Sequence, residues 1–281
     1  MEKTYQIKSY SKINLGLKVL NLRPDNFHNI NSIFIEVDLC DILQFVPSNS
    51  FKLSSINKNI PLDHSNTIAQ AYKILSEKFH FKQHYKIIVD KNIPIGGGMG
   101  GGSSNAASTL KALNKLNNLK LTNKNLMDIG LKIGSDIPFF IEGGLKFVFG
   151  RGEKIKPHMF SIKDELYIFL VFPKFSIDTS WAYKNIKKKL QYKNYSTKFP
   201  PLDSNVKWKL FENDFEDIVG STYPEIFEIK NLLYENGALY SGLSGSGSTM
   251  FGVYNDKSAL NKTKQFLNHY NTLIVSPIQR K

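Results

Sequence analysis

Ile93-Pro94-Ile95-Gly96-Gly97-Gly98-Met99-Gly100-Gly101-Gly102-Ser103-Ser104-Asn105-Ala106-Ala107 is the stretch on which the fold turns. Upstream, Tyr85 to Val89 reads as a short strand. Downstream, Ser104 to Leu116 carries Ala106, Ala107, Leu110 and Leu113 at helical spacing. Six glycines between a strand and a helix let backbone N–H groups approach an anion without a Cβ in the way. The start of the helix adds the positive end of its dipole. Phosphate binding is the chemistry such a loop serves; the alternative is a flexible surface loop. A Walker loop needs Lys-Ser/Thr after its last glycine, and Ser103-Ser104 stands there instead. Gly96, Gly98 and Gly101 satisfy G-x-G-x-x-G, but the acidic residue due about 20 positions later in a dinucleotide fold is replaced by Leu121 in helical surroundings.

Outward from the loop, strands and helices interleave. Tyr5, Ile7, Ile13, Leu15, Leu17 and Val19 share one parity, predicting a half-buried strand or strand pair that points Lys12 and Asn14 to one face. Arg23-Pro24-Asp25-Asn26 is a turn signal, and Asn31 to Leu39 reads as a strand. Helices are predicted over Asn66 to Phe79, over Thr122 to Ile133 with a stop at Gly134, and over Pro224 to Glu235 with proline at the start. Leu145 to Phe149 and Lys154-Ile155 suit a hairpin, Tyr167 to Phe172 a strand ended by Pro173, and Ala238 to Tyr254 strand, glycine turn, strand. Lys257 to Tyr270 is an amphipathic helix and Leu273 to Val275 a last strand, while residues 184 to 210 are lysine-rich and irregular. This order predicts an α+β fold. A weakly marked boundary near residues 155 to 165 divides the chain into 1–158 and 159–281.

Composition narrows the function classes. The chain has 281 residues, 41% hydrophobic and 22% charged, which suits a folded globular protein of one large or two modest domains. No run approaches the roughly 20 apolar residues of a membrane span. The first residues lack a secretory apolar region. Cys40 is the only cysteine, which excludes an intrachain disulfide framework or cysteine metal cage and points to a reducing, cytoplasmic setting. The net charge of +13 permits polyanionic partners. Only Arg23, Arg151 and Arg280 are arginines, however, whereas base readers and bidentate phosphate clamps favour arginine. Richness in Asn, Ile and Lys reads as compositional drift. No G-x-S-x-G elbow is present. His80 and His84 lack the intervening Glu and third ligand of a zinc site.

With these residues in view, the chain resembles the GHMP kinases, the small-molecule kinases named for galactose, homoserine, mevalonate and phosphomevalonate. Pro94 to Ala107 resembles their second motif, Ser11-Lys12-Ile13-Asn14-Leu15 the first, and Leu243-Ser244-Gly245-Ser246-Gly247-Ser248 the third. Gly134-Ser135-Asp136-Ile137-Pro138-Phe139 resembles the aspartate motif, and Ser176-Ile177-Asp178-Thr179 with Tyr183 the nucleotide-lid segment. Phe27-His28 falls where members acting on a cytidine diphosphate alcohol carry Tyr-His, and Asn26 where they carry glycine.

The resemblance implies a two-domain GHMP kinase fold, its N-terminal part like domain 2 of ribosomal S5 and its C-terminal part a ferredoxin-like α/β sandwich. It implies ATP and Mg²⁺, and phosphorylation of the 2-hydroxyl of 4-diphosphocytidyl-2-C-methyl-D-erythritol in non-mevalonate isoprenoid precursor synthesis. Asp136 is then the base and Lys12 the charge stabiliser. Pro94, Gly96, Gly97, Gly98, Met99, Gly100, Gly101, Gly102, Ser103 and Ser104 cradle the nucleotide, with Asn66 and Asn105 beside it and Ser104 at the metal. Asn14, Phe27, His28, Thr179, Tyr183, Gly245 and Gly247 contact the acceptor. On residue chemistry alone each has a plainer reading: Asp136, Ser103, Ser104, Asn66 and Asn105 as helix caps, Lys12 as a surface lysine, and Gly245 and Gly247 as a hairpin turn. The partner expected is a small molecule, with no nucleic acid and no membrane, in a monomer or homodimer. A sibling kinase of homoserine or mevalonate type stays open, as does a lysine-rich nucleic-acid-binding protein.

Overall fold

The computed structural model describes residues 4–56, 60–158, 165–186, 199, 202 and 206–280. The expected boundary after residue 158 abuts residues 159–164, which lie outside the described residues, as does most of the lysine-rich 184–210 stretch. The chain forms two compact units. One comprises Met1–Ser11, Leu39–Ile93 and Gly100–Gly143; the other comprises Lys12–Asp38, Pro94–Met99 and Gly144–Lys281. Strands β1 (Tyr5–Leu22) and β2 (His28–Ser48) are long enough to give one end to each unit.

In the first unit the far end of β2 pairs antiparallel with β4 (His84–Asp90), Ile42 lying opposite Asp90 and Ser48 opposite His84. A four-residue strand, β3 (Lys52–Ser55), adds in parallel to β4. Sequence patterning did not predict it, because four residues are too few to establish alternation. Four helices belong to this unit: α1 (Thr67–Phe79), α2 (Gly101–Leu116), α3 (Asn123–Gly130) and α4 (Ile137–Glu142). Local chemistry starts two of them. The Asn66 side chain accepts from the Ile68 N–H at the head of α1, and Thr122 and Asn125 form a reciprocal capping box on α3. The apolar stripe Ala106, Ala107, Leu110 and Leu113 of α2 is fully buried.

Helix α3 ends at Gly130, three residues short of the expected Ile133, and turns 131–133 carry the chain into α4. Gly130 lets α4 approach: a Cβ there would lie 2.4 Å from Ile137 Cγ2. Gly130→Ala is therefore expected to lower stability by about 1–3 kcal/mol through overpacking, outweighing alanine's better helix propensity of about 1 kcal/mol. A denaturant titration reads the shift in midpoint; an unchanged or higher midpoint would show that α4 has room to yield.

In the second unit the near end of β2 pairs antiparallel with β5 (Leu145–Gly150), Ile30 opposite Gly150 and Ile35 opposite Leu145. The expected hairpin joins β5 to β6 (Lys154–Pro157). The unit also holds an all-antiparallel sheet in the order β10-β7-β9-β8, built from β7 (Tyr167–Phe172), β8 (Tyr240–Leu243), β9 (Met250–Tyr254) and β10 (Asn271–Val275). Helices α5 (Thr179–Ile186), α6 (Glu216–Thr222) and α7 (Glu225–Glu235) precede β8, and α8 (Lys257–Phe266) precedes β10. This is the split β-α-β order of a ferredoxin-like sandwich. Phe169, Val171, Val219, Ile229, Leu233 and Leu260 are among the residues of its apolar core. Helices α5 and α6 were not predicted; each spans two turns or so, too short for a helical period to stand out. Buried Glu36 anchors the C-terminal residues, accepting from Arg280 Nε at 2.8 Å, Arg280 Nη2 at 2.7 Å and the Gly144 N–H at 2.8 Å. No described helix is long and apolar enough to cross a membrane.

Candidate active site

In the second unit, the segment Pro94–Met99 lies against the turn between β8 and β9, backbone to backbone. The Ser248 N–H donates to Gly96 O at 3.2 Å and the Thr249 N–H to Gly97 O at 3.2 Å. Gly98 has φ +73°, and a Cβ on it would fall 1.9 Å from Ser244 O. Only glycine fits both the conformation and the approach.

Lys12 reaches this junction from β1. Its N–H donates to Met99 O at 3.1 Å, and its ammonium donates to Gly98 O at 2.8 Å and to Asn14 Oδ1. The ammonium also lies over the Phe34 ring, 4.8 Å from its centroid. The lysine is only 4% exposed, so the surface-lysine reading fails. Asn14 is held in turn by Ser32, whose hydroxyl accepts from Asn14 Nδ2 at 3.0 Å and donates to Gly16 O at 2.6 Å. Gly245 completes the group: a Cβ there would lie 3.3 Å from Asn14 Oδ1 and 3.4 Å from Lys12 Nζ. The parity argument for Lys12 and Asn14 thus ends in a shared polar cluster.

Asn213 supports the turn and was missed from sequence. It is buried, donates from Nδ2 to Leu243 O at 2.7 Å and Gly245 O at 2.8 Å, and accepts from the Phe215 N–H at 3.0 Å. The Thr179 and Ser246 hydroxyls are 3.1 Å apart.

The aromatic residues divide. His28 and Tyr183 stack with ring centroids 5.6 Å apart and planes at 23°, and Tyr183 meets Phe215 edge-on. Phe27 stays 49% exposed at the tip of the turn after β1, with the Arg151 guanidinium over its ring at 5.0 Å. The turn is braced by Arg23 on both Asp25 oxygens and by Asp25 on the Phe27 N–H; the Arg23 hydrogen bond first of all holds the Asp25 carboxyl below its ordinary pKa. Asn26 adopts φ +64°, the left-handed conformation that asparagine tolerates. Arg151 gave no sequence signal, because it meets Phe27 only once the β5–β6 hairpin forms.

In the first unit, Gly100 is the N-cap of α2 at φ +70° with no side-chain cap, so helix geometry directs the first-turn N–H groups of Gly101 to Ser103 outward. Ser103 Oγ lies 3.7 Å from the point a Cβ on Gly134 would occupy, two residues before Asp136. Asp136 is half-buried at the N-cap position of α4, yet it makes no side-chain capping hydrogen bond. The plain cap reading of Asp136 therefore lacks its defining contact.

Three expected nucleotide or metal residues make side-chain hydrogen bonds within the first unit. Asn66 caps α1 and donates from Nδ2 to Pro61 O at 2.7 Å. Asn105 donates from Nδ2 to Ser9 Oγ at 2.9 Å and to Asp41 Oδ2 at 2.8 Å. Ser104 is 2% exposed, donates to Tyr10 O at 2.5 Å and meets Ser9 Oγ at 2.7 Å. The Ser104 hydroxyl expected at the metal is thus engaged by Tyr10 O and Ser9 Oγ and is buried. Among the described residues no group of three or more His, Cys, Asp or Glu could hold a metal ion.

Two family models match the chain: "GHMP kinases N terminal domain" over residues 66–144 and "GHMP kinases C terminal" over residues 205–272. A 4-diphosphocytidyl-2-C-methyl-D-erythritol kinase of Thermodesulfovibrio yellowstonii is 39% identical, covering 96% of this chain and 97% of its own. This chain belongs to the GHMP kinases. Among solved structures, a 4-(cytidine 5'-diphospho)-2C-methyl-D-erythritol kinase superposes with a TM-score of 0.77 at 25% identity, over 96% of this chain and 98% of that one. A homoserine kinase of Cytophaga hutchinsonii superposes at 0.71 and 16% identity, over 100% of this chain and 96% of that one, a likeness of fold alone. As a GHMP kinase the chain has the expected two-domain mixed architecture, and the glycine segment and the Gly245 turn fall within the residues that the two family models match.

Proposed function

We propose that this GHMP kinase transfers the γ-phosphoryl group of ATP to the 2-hydroxyl of 4-diphosphocytidyl-2-C-methyl-D-erythritol, in non-mevalonate isoprenoid precursor synthesis in the cytoplasm. The division of labour proposed is residues 1–158 with the glycine loop and 159–281 as the second domain. The observation that carries the choice of acceptor is the aromatic set His28, Tyr183 and exposed Phe27, with Arg151 over Phe27. A planar base stacks on such rings, and a nearby guanidinium attracts a diphosphate. Homoserine and mevalonate offer neither group.

In the proposed reaction the acceptor oxygen attacks the γ-phosphorus as the bond from that phosphorus to the bridging oxygen breaks, leaving ADP. The Asp136 carboxylate takes the hydroxyl proton. The Lys12 ammonium stabilises the charge developing on the oxygens, and Gly98 O and Asn14 hold it in place. Asn14 also orients the acceptor, Thr179 and Gly245 bound its site, and Ile95 to Ser103, after Pro94, offer backbone N–H groups to the triphosphate. ATP arrives with the Mg²⁺ that accompanies its phosphates in solution.

Replacing Phe27 with alanine tests this reading. CDP affinity is expected to weaken by about 1–3 kcal/mol, roughly 5- to 150-fold, with ATP affinity unchanged, as calorimetry would show. Equal CDP binding by the two proteins, or none by the wild type, would favour a sibling acceptor without a base.

A further inference from the structure

The charged group buried beside the start of α2 has no part in the chemistry above. The Asp41 carboxylate, fully buried near the start of the β2 segment in the first unit, gathers hydrogen bonds from both stems of the glycine loop. Before the loop, the Asn92 and Ile93 N–H groups donate to Oδ1 at 2.7 and 2.8 Å. After it, Asn105 Nδ2 donates to Oδ2 at 2.8 Å, and the same amide continues through Ser9 to Ser104. The Lys91 ammonium donates to Oδ2 as well. It lies 2.8 Å from the point that a Cβ on Gly101, the first residue of α2, would occupy. Burial pushes the Lys91 pKa down, and Asp41 opposes that shift.

A buried carboxylate is costly unless paired and fully hydrogen-bonded. Here its partners are the residues that end the incoming stem and begin the outgoing helix. The loop between Ile93 and Asn105 has six glycines and little conformational preference of its own. Its two ends are tied to one anion far earlier in the sequence, the separations being 52 for Ile93 and 64 for Asn105. Fixing the ends sets where the first-turn N–H groups of α2 stand, so the entropy of ordering the loop is lost on folding and not again on nucleotide binding.

We infer that Asp41 is a positioning residue of the nucleotide site: by clamping both stems of the glycine loop it sets the affinity for the triphosphate. The inference rests on the loop holding the nucleotide, as proposed above, and not on the identity of the acceptor. Asparagine at position 41 keeps the shape but has one acceptor oxygen for a cluster of four donors. Charge alone predicts the opposite effect, because removing an anion near the phosphates would tighten binding. The sign of the change therefore separates positioning from electrostatics.

The test is ATP binding by calorimetry for Asp41→Asn and, as a milder variant, Asn105→Ala, together with the KM for each substrate and a thermal melt. Asp41→Asn is expected to weaken ATP binding about tenfold, and Asn105→Ala about threefold, with the KM for the cytidine diphosphate alcohol unchanged and cooperative melts retained. Wild-type or tighter ATP binding in both folded variants overturns the inference. So does a parallel rise in both KM values, which marks a general loss of structure, or failure of both to fold, which assigns Asp41 to stability alone. If the wild type binds ATP but phosphorylates no cytidine-linked alcohol, the acceptor reading fails while the ATP measurements still decide the role of Asp41.

Discussion

Asp136→Asn is expected to lower kcat by about 10²- to 10⁴-fold while ATP affinity changes by about twofold or less. The amide matches the carboxylate in shape but cannot take a proton from the acceptor hydroxyl. Asp136 makes no capping hydrogen bond to α4, so the substitution removes no helix cap, and a thermal melt of the variant checks that the fold is retained. A loss of turnover with stability and nucleotide binding intact would then be a loss of chemistry. Steady-state rates on saturating ATP and acceptor, beside calorimetry with ATP, give both quantities. Turnover near that of the wild type would remove Asp136 from its assigned role and leave proton transfer to solvent.

Gly98→Ala is expected to be the most damaging single methyl group in the chain. At φ +73° a Cβ costs about 1–2 kcal/mol in backbone strain. Its clash at 1.9 Å is with the Ser244 carbonyl, which cannot rotate aside as a side chain could, and overpacking of that kind costs about 1–3 kcal/mol more. The combined loss of about 2–5 kcal/mol is a large share of a typical folding free energy of about 5–15 kcal/mol. Activity should fall as well, because Gly98 O is the acceptor for both the Lys12 ammonium and the Ser244 hydroxyl. Gly102→Ala is the control. A Cβ there would meet only Thr67 Oγ1, at 3.6 Å, and alanine suits a helix better than glycine. Denaturant unfolding of the two variants side by side should show the first destabilised and the second not. Equal midpoints would mean that the glycine segment and the β8–β9 turn separate at little cost.

Legibility in the sequence followed the range of the signal. The α1 cap at Asn66, the 145–155 hairpin and the strand-loop-helix around the glycines are written in neighbouring residues, and each appears where expected. Strand β3 and helices α5 and α6 are shorter than the pattern needed to recognise them. Residues that act at a distance left no trace. Asn213 looks like one polar residue among many until it bonds Gly245 O, 32 positions away. The resemblance places Ser104 and Asn105 beside the nucleotide; a helix turns successive side chains about 100° apart, and the direction of each depends on what packs against α2. That packing turned both toward Ser9.

The kind of loop, its place between a strand and a helix, the shared face of Lys12 and Asn14, and kinship with the GHMP kinases are all legible in the chain, since they rest on local spacing and motif. Which polar side chains hold the loop, as Asp41 holds its two stems, emerges only from the packed fold. Burial is the physical reason. A lysine or aspartate in this lysine-rich chain is solvated by default, and only a fold that removes water from Lys12 and Asp41 obliges each to find its partners.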